Sequence, residues 1–335
     1  GCGNNGYGHL GLRDDINRLI PVQVANATTW ISMACGTSHT LAVRSDGTLQ
    51  AWGLNADGQL GERSVGPLRV GSATDWASTA CGEYHTAAVR SDGTLWVWGN
   101  NFNGQLGLGD KTRRTSPVQV GSMEDWASVA CGESHTVAVR SDGTLWTWGN
   151  NSYGQLGLGN TATQSSPMQV GSATDWTSVA CGKYHTVAVR SDGTLWAWGY
   201  NSYGQLGLGY TFQRTNPEQV GSATNWTSLA CGDYYTVAIR SDGTLWAWGN
   251  NWRGQLGDGT LAQHNSPVQV SSATDWVSVS CGWEHTMAVR SDGTLWAWGN
   301  NFNGQLGFGD TTHRIIPVQV GSETTWTTVA CGAGQ

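Results

Sequence analysis

The chain has 335 residues, of which 12% are charged, and its net charge is −7 at pH 7. This acidic balance argues against a nucleic-acid partner, which requires a basic surface, and no apolar run approaches the roughly 18 residues of a membrane span. Glycine is abundant, and no sustained window shows the helical periodicity of apolar residues, so the composition predicts an all-β protein.

A segment of 50 residues recurs along the chain, and a Cys-Gly pair marks its register. Successive pairs are 50 residues apart except the first two, which are 46 apart. Repeats of this length predict an array of identical supersecondary units. The repeats start near Trp30, Trp76, Trp126, Trp176, Trp226 and Trp276, and their cysteines are Cys35, Cys81, Cys131, Cys181, Cys231, Cys281 and Cys331.

One repeat contains four predicted strands. The second, HTVAVR, alternates in the manner of a strand, and Asp192-Gly193 then predicts a tight hairpin, because a type I′ turn needs positive φ at both central residues. Small residues suit the first strand to a crowded position, and a proline opens the fourth, as is typical of an edge strand. The predicted strands are Val179–Cys181, His185–Arg190, Leu195–Trp198 and Pro217–Val220.

Four short strands per repeat predict the blade of a β-propeller. We therefore expect one all-β domain over residues 1–335, a seven-bladed propeller with six complete blades and a seventh split between 326–335 and 1–24. The split blade lacks a segment equivalent to Thr186–Trp196. Two explanations stay open: a boundary set inside a longer protein, or a hairpin supplied by another segment or chain, in which case the chain forms oligomers through the incomplete blade.

Two motifs carry a resemblance to a known family. They are HTVAVRSDGTLWAWG at His185–Gly199 and NSYGQLGLG at Asn151–Gly159. Over essentially the whole chain the sequence resembles the regulator of chromosome condensation (RCC1) repeat family of seven-bladed propellers, and its bacterial members most. The family includes a nuclear nucleotide-exchange factor, a plant ultraviolet receptor, ubiquitin-ligase modules and a secreted inhibitor of β-lactamase. The resemblance thus implies a fold and a binding role without selecting a partner.

Residues present in every repeat are predicted to be structural. The histidines at 39, 85, 135, 185 and 285 share a slot with Tyr235, which a metal ligand would not tolerate, so we expect them to hydrogen-bond and fix the turn after the first strand. Arg190 and Asp192 represent a rim of ordinary surface charge. The cysteines lack metal-ligand spacing and are predicted to be small buried thiols. No cofactor or metal is expected.

Positions that differ between repeats are the candidate site. They follow the first and third strands, and alternating strand direction places both loops on one face. Their mixture of aromatic and charged residues is typical of interface hot spots, although Phe102 and Phe302 have the alternative of covering their own loops. The candidate partner-binding residues are Trp252, Arg253, Trp283, Glu284, Tyr234, Asp233, Tyr203, Tyr184, Lys183, Tyr153, Phe102, Tyr84, Glu83 and Phe302.

The sequence therefore predicts a non-catalytic protein-binding platform. No constellation supplies a nucleophile with its base, a paired acid and base, or a metal cluster, so we expect no enzyme. The alternatives are a carbohydrate-binding propeller that uses the same aromatic residues, and a self-assembling protein that completes the split blade in trans. Free thiols favour a reducing compartment, whereas the lysine-poor surface favours a secreted or cell-surface bacterial protein. No membrane insertion is expected.

Overall fold

The computed structural model describes residues 1–24, 30–60 and 64–334. In these ranges the strands form six antiparallel sheets of four, and within each sheet the spatial order follows the chain. No helix there is long and apolar enough to cross a membrane.

The sheets are numbered first to sixth in chain order. The first three comprise β1 (Trp30–Cys35), β2 (His39–Arg44), β3 (Leu49–Gly53), β4 (Ser64–Arg69); β5 (Trp76–Cys81), β6 (His85–Arg90), β7 (Leu95–Gly99), β8 (Arg114–Gln119); β9 (Trp126–Cys131), β10 (His135–Arg140), β11 (Leu145–Gly149) and β12 (Gln164–Gln169). The last three comprise β13 (Trp176–Cys181), β14 (His185–Arg190), β15 (Leu195–Gly199), β16 (Arg214–Gln219); β17 (Trp226–Cys231), β18 (Tyr235–Arg240), β19 (Leu245–Gly249), β20 (His264–Gln269); β21 (Trp276–Cys281), β22 (His285–Arg290), β23 (Leu295–Gly299) and β24 (Arg314–Gln319).

The Asp-Gly turn sets the register of each sheet. In the fourth sheet, Gly193 has a φ of +75°, and the Asp192 carboxylate accepts hydrogen bonds from the N–H of Thr194 at 2.9 Å and from its hydroxyl at 2.7 Å. The turn pairs Val189 with Leu195. The first and fourth strands are longer at their start than the sequence predicts, since β13 begins at Trp176 and β16 at Arg214.

The second and third strands form the core, and each sheet packs on the next. Five of the six residues of β14 are buried. Val137 and Leu145 of the third sheet pack in one cluster with Trp176 and Trp198 of the fourth. Because every sheet presents the same two surfaces, this interface recurs along the chain and holds the sheets side by side.

The prediction of seven blades is wrong, because the structure contains six four-stranded sheets. Residues 1–24 and 326–334 form no strand, and the one β-bridge among them joins Gly3 to Arg18. The physical reason is that nothing in these segments supplies the buried second strand on which the other sheets are built. Residue 335, which the prediction placed in the split blade, lies outside the described residues.

The terminal segments instead pack between the first and sixth sheets. The Thr40 hydroxyl donates a hydrogen bond of 2.9 Å to the carbonyl of His9, and the N–H of Asn4 donates one of 2.8 Å to the carbonyl of Gly334. Toward the sixth sheet, the Cys2 thiol lies 3.5 Å from the carbonyl of Gln305. These contacts close the ring of sheets.

The repeated histidines and arginines make contacts that differ from those predicted from the sequence. The ring of His185 is fully buried and bonds the Thr236 hydroxyl of the next sheet at 3.1 Å, so it joins two sheets as well as standing beside its own turn. The guanidinium of Arg190 lies 4.6 Å from the ring of Trp176 and 4.2 Å from that of Trp196. Four of the six repeated arginines are packed between two tryptophans by cation–π contacts and the other two lie over one, so they are not ordinary surface charge.

Candidate protein-binding face

The loops after the first and third strands of each sheet lie on one face, here called the loop face. In the fourth sheet the N–H of Tyr200, after β15, donates a hydrogen bond of 2.9 Å to the carbonyl of Tyr184, after β13. The Asp-Gly turns lie at the other end, where the N–H of Ser191 bonds the carbonyl of Asp175 in the segment before β13. All candidate residues from the sequence therefore belong to the loop face.

A central channel of about 110 Å³ opens on the loop face. It is lined by the Cys-Gly pairs of the first strands and by the residue that follows each pair. The peptide groups of these following residues join around the mouth, as where the N–H of Glu133 bonds the Lys183 carbonyl at 3.3 Å and that of Lys183 bonds the Asp233 carbonyl at 3.2 Å. The seven residues at the mouth are Thr37, Glu83, Glu133, Lys183, Asp233, Trp283 and Ala333.

Acidic side chains surround one lysine at this mouth. The ammonium of Lys183 lies 3.2 Å from a carboxylate oxygen of Glu133 and 3.9 Å from one of Asp233. Burial alone would lower the pKa of Lys183, but the two carboxylates raise it above its usual value. Burial raises the pKa of Asp233 to about 7 against the opposing effect of Lys183, and Glu133 adds to the rise. The pKa of Glu83 is raised as well, mainly by burial.

Beside the mouth, six aromatic rings from the third, fourth and fifth sheets contact one another and form what we call the aromatic cluster. Its ring centroids are 5.0 Å apart for Tyr153 and Tyr184, 5.1 Å for Tyr203 and Tyr234, and 5.2 Å for Tyr203 and Trp252. Most of these pairs are tilted or edge-to-face, the geometries that aromatic rings prefer. The members are Tyr153, Tyr184, Tyr200, Tyr203, Tyr234 and Trp252.

Tyr200 was missed by the sequence interpretation. Its ring lies 4.9 Å from Tyr153 and 5.9 Å from Tyr234, so it connects the third and fifth sheets at the centre of the cluster. The signal was present in the sequence. Asn100, Asn150, Asn250 and Asn300 occupy the equivalent position in four other repeats, and only the fourth repeat has an aromatic residue there.

The second group of candidate residues lies around Arg253 in the fifth and sixth sheets. Its guanidinium is 3.7 Å from a Glu284 carboxylate oxygen and 4.9 Å from the ring of Phe302. Phe302 also packs edge-on against His313 of its own loop, with ring centroids 4.4 Å apart. The ring of Trp283 lies 5.9 Å from the Lys183 ammonium. This group therefore meets the channel mouth through Trp283.

Trp252 and Trp283 are both exposed, at 60% and 43%. The two tryptophans have different neighbours. Trp252 packs on Tyr203 of the aromatic cluster, whereas Trp283 lies near Lys183 at the channel mouth. Phe102 of the second sheet is 66% exposed. Tyr84 of the same sheet is half-buried beside Glu83, and burial together with this carboxylate raises the pKa of Tyr84 to about 12.

The thiols that line the channel are not activated. Burial raises the pKa of the Cys131 thiol, which lines the channel, to about 12 and so disfavours the reactive thiolate. In the described ranges, no group of three or more His, Cys, Asp or Glu side chains is arranged to hold a metal ion. What the arrangement can do is present aromatic rings and charges on a stable surface.

Comparisons with known proteins agree with this fold. A stretch of 61 residues is 38% identical to the ultraviolet-B receptor UVR8 of Arabidopsis thaliana, and it covers 18% of this chain but 14% of the receptor's length. The structure of human WBSCR16 superposes with a TM-score of 0.89 at 24% identity over 99% of this chain and 96% of that one.

Two yeast structures are similar in the same way. Prp20p of Saccharomyces cerevisiae, described with its binding properties to Gsp1p and histones, has a TM-score of 0.87 at 21% identity and covers 99% of this chain and 89% of its own. Yeast RCC1 (Prp20) bound to Kap60 has a TM-score of 0.83 at 20% identity, over 97% and 83% of the two chains. Such identities show a shared fold. The sequence profile of the RCC1-like domain matches residues 1–335, and the chain therefore belongs to the RCC1-like domain family.

Proposed function

We propose that this protein is a non-catalytic binding platform that recognises a protein partner through its loop face. The observation that carries the proposal is the aromatic cluster beside the charged channel mouth. Six rings from three sheets contact one another there, and Lys183 with its two carboxylates borders them. Among the described residues, no other group of contacting aromatic rings spans three sheets.

The cluster is suited to binding because its rings are already ordered. Tyr203 is half-buried between Tyr234 and Trp252, so little side-chain freedom is lost when a partner covers them. Trp252, at 60% exposed, has the most surface to bury. Tryptophan and tyrosine dominate measured interface hot spots, and a single truncation there costs about 2 kcal/mol or more.

The relatives support the same class of function. Prp20p is described with binding to Gsp1p and histones, and yeast RCC1 with Kap60. All of these partners are proteins, although identities near 20% do not transfer any one of them to this chain. We carry over the class of ligand alone.

The test is a comparison of alanine variants against a purified partner. Candidates captured by the immobilised protein are purified and titrated against the wild type and against Trp252→Ala, Trp283→Ala and Tyr203→Ala. We expect each change to weaken binding by about 30-fold while the melting temperature is kept. Phe212→Ala is the matched control, because Phe212 is 72% exposed and lies outside the aromatic cluster.

Normal binding by the Trp252 and Trp283 variants would remove this face from the proposal. Carbohydrate binding is the second candidate, since the exposed ring of Trp252 packed edge-on against Tyr203 also suits stacking on a sugar. A glycan array with the same variants decides between the two. A glycan signal that is lost in Trp252→Ala, without any protein partner that depends on this residue, would reassign the face to carbohydrate.

A further inference from the structure

A phenylalanine ring, a carboxylate and an arginine meet in the loops of the fifth and sixth sheets. The Arg253 guanidinium lies 4.9 Å from the ring of Phe302 and 3.7 Å from a carboxylate oxygen of Glu284. Asn300 fixes the other two groups, because its amide donates a hydrogen bond of 2.9 Å to Glu284 and accepts one of 2.9 Å from the N–H of Phe302. These residues form a site for an arginine side chain, and the chain's own Arg253 occupies it.

The loops of the first and second sheets repeat this arrangement with one change. Phe102 occupies the slot of Phe302. The amide of Asn100 accepts a hydrogen bond of 3.1 Å from the N–H of Phe102 and donates one of 3.1 Å to the carboxylate of Asp57. Asp57 stands in the slot of Arg253, so the ring and an amide-bound carboxylate are kept while the arginine is replaced by an acid.

No cation of the chain fills this second arrangement. Within the described ranges, no lysine or arginine pairs with the Asp57 carboxylate or lies over the ring of Phe102. Arg113 occupies the slot of His313, which packs on the phenylalanine of the sixth sheet, but its guanidinium instead donates a hydrogen bond of 3.5 Å to the carbonyl of Ala56. Because Phe102 is 66% exposed, its ring is open to a partner.

The charges around Asp57 favour a cation. Burial raises the pKa of Tyr84 to about 12, and Glu83, Asp57 and Glu133 add to the rise, so these three carboxylates act on one ring. The ammonium of Lys183 lies 3.2 Å from Glu133 and leaves the other two carboxylates without a paired lysine or arginine among the described residues. A positively charged side chain is therefore attracted to this part of the loop face.

We infer that Asp57 and Phe102 form a site for an arginine side chain of a protein partner. The guanidinium stacks on the exposed ring of Phe102 and pairs with the Asp57 carboxylate, in the way that Arg253 uses Phe302 and Glu284. Arginine suits the site better than lysine, because its planar group stacks on a ring and carries several donors in one plane. The inference rests on the function proposed above, since it names a side chain that the protein partner presents to the loop face.

The test uses the intact protein and the peptide acetyl-Gly-Arg-Gly-amide, followed by the amide signals of the protein in NMR spectra. We expect saturable shifts at residues 57, 84 and 102, with a dissociation constant in the millimolar range. The same peptide with citrulline in place of arginine keeps the shape and loses the charge, and it should bind about tenfold more weakly. Ionic strength is held constant with sodium chloride, because the ion pair is exposed and screened by salt.

Three variants test the two groups of the site. Phe102→Ala should weaken binding of the arginine peptide about twofold to fivefold through loss of the cation–π contact. Asp57→Asn should weaken it by a similar factor, because the charge is removed while the shape is kept. Phe302→Ala is the matched control, and it should leave the affinity unchanged because Arg253 already covers that ring.

Removal of the chain's own arginine gives a second, opposite readout. Arg253→Ala uncovers Phe302 and leaves Glu284 without its cation. We expect this variant to bind a second arginine peptide, with new shifts at residues 284 and 302 and unchanged shifts at residues 57 and 102. A gain of binding of this kind cannot come from damage to the fold.

Several results would overturn the inference. They are equal binding of the citrulline peptide, full affinity in Phe102→Ala, and no second site in Arg253→Ala. Equal binding of acetyl-Gly-Lys-Gly-amide would overturn the choice of arginine. The peptide titration needs no protein partner, so its failure leaves the proposed function standing if Trp252→Ala and Trp283→Ala still weaken partner binding. Normal partner binding by those two variants would instead remove the proposed function while the peptide result stands.

Discussion

The Nε2 atom of His185 lies 3.1 Å from the hydroxyl oxygen of Thr236 in the next sheet. The same contact joins His85 to Thr136 and His135 to Thr186. Where Tyr235 replaces the histidine, its hydroxyl reaches Thr286 at 3.2 Å instead. A buried polar link between neighbouring sheets is thus kept in two chemical forms.

This link predicts the effect of substitution at His185. His185→Ala should lower the free energy of unfolding by about 2–4 kcal/mol, because it leaves a cavity and removes the bond between sheets. His185→Tyr should cost less than about 1.5 kcal/mol, since tyrosine already fills this slot in the fifth sheet. Denaturant unfolding measures both, and equal losses for the two variants would contradict the interpretation.

The buried histidines also predict a pH dependence of stability. Burial lowers the pKa of His39, His85, His135 and His185 to about 3. The unfolded chain binds protons below about 6.5 and the folded chain does not, so stability falls as the pH drops from about 6.5 toward 3. At pH 5 each histidine should cost about 2 kcal/mol relative to pH 7.

His185→Tyr is the matched control for this pH effect, because tyrosine does not titrate in that range. The variant should lose less stability than the wild type between pH 7 and pH 5. Denaturation curves at the two pH values give the comparison. If both proteins lose the same amount, His185 does not contribute through its protonation.

Asp233 should act in the opposite direction. Burial, with Glu133 and Glu83 nearby, raises its pKa to about 7, so between about pH 4 and 7 the folded state binds more protons than the unfolded state. Its contribution to stability therefore decreases as the pH rises through that window. Asp233→Asn should stabilise the protein by about 1–3 kcal/mol at pH 8 and have little effect at pH 4. Thermal unfolding at the two pH values is the measurement, and an equal effect at both would count against it.

A substitution beside Arg240 should increase the free energy of unfolding. Its guanidinium lies between Trp226 and Trp246, at 4.4 and 3.9 Å, but Asn225 occupies the slot in which Asp175 lies 3.5 Å from Arg190. Burial lowers the pKa of Arg240. Asn225→Asp should supply an ion pair and stabilise the fold by up to about 1 kcal/mol at low salt.

Asp175→Asn is the reciprocal control, and it should lose a similar amount. Both effects should shrink in high salt, because the pairs are partly exposed. A gain that is insensitive to salt would show that something other than the ion pair is responsible.

The repeat unit was predictable from the sequence because its causes are local. Asp192-Gly193 sets a turn through backbone conformation. The pattern of His185–Arg190 selects a strand, whose successive side chains point to opposite faces of the sheet. The strand and the hairpin were confirmed by the structure, but the type I′ turn was wrong, because of its two central residues only Gly193 has a positive φ. The placement of both variable loops on one face also follows from strand direction alone, and Tyr184 and Tyr200 do meet there.

The tertiary structure decided what depends on contacts between repeats. The number of blades was one such property: counting motifs predicted seven, but a sheet forms only where a buried second strand is available, and six sheets have one. The position of Arg190 between two tryptophans was another, since Trp176 and Trp196 meet it from different strands.

The candidate site was also predictable only in part. Its residues were predictable as those that vary between repeats, but which of them contact one another was not. Tyr200 joins Tyr153 and Tyr234 because the third, fourth and fifth sheets pack side by side around the channel. Local sequence thus determined the strands and the face on which the variable residues lie, whereas the packing of sheet on sheet determined the aromatic cluster, because its contacts join rings from three different sheets.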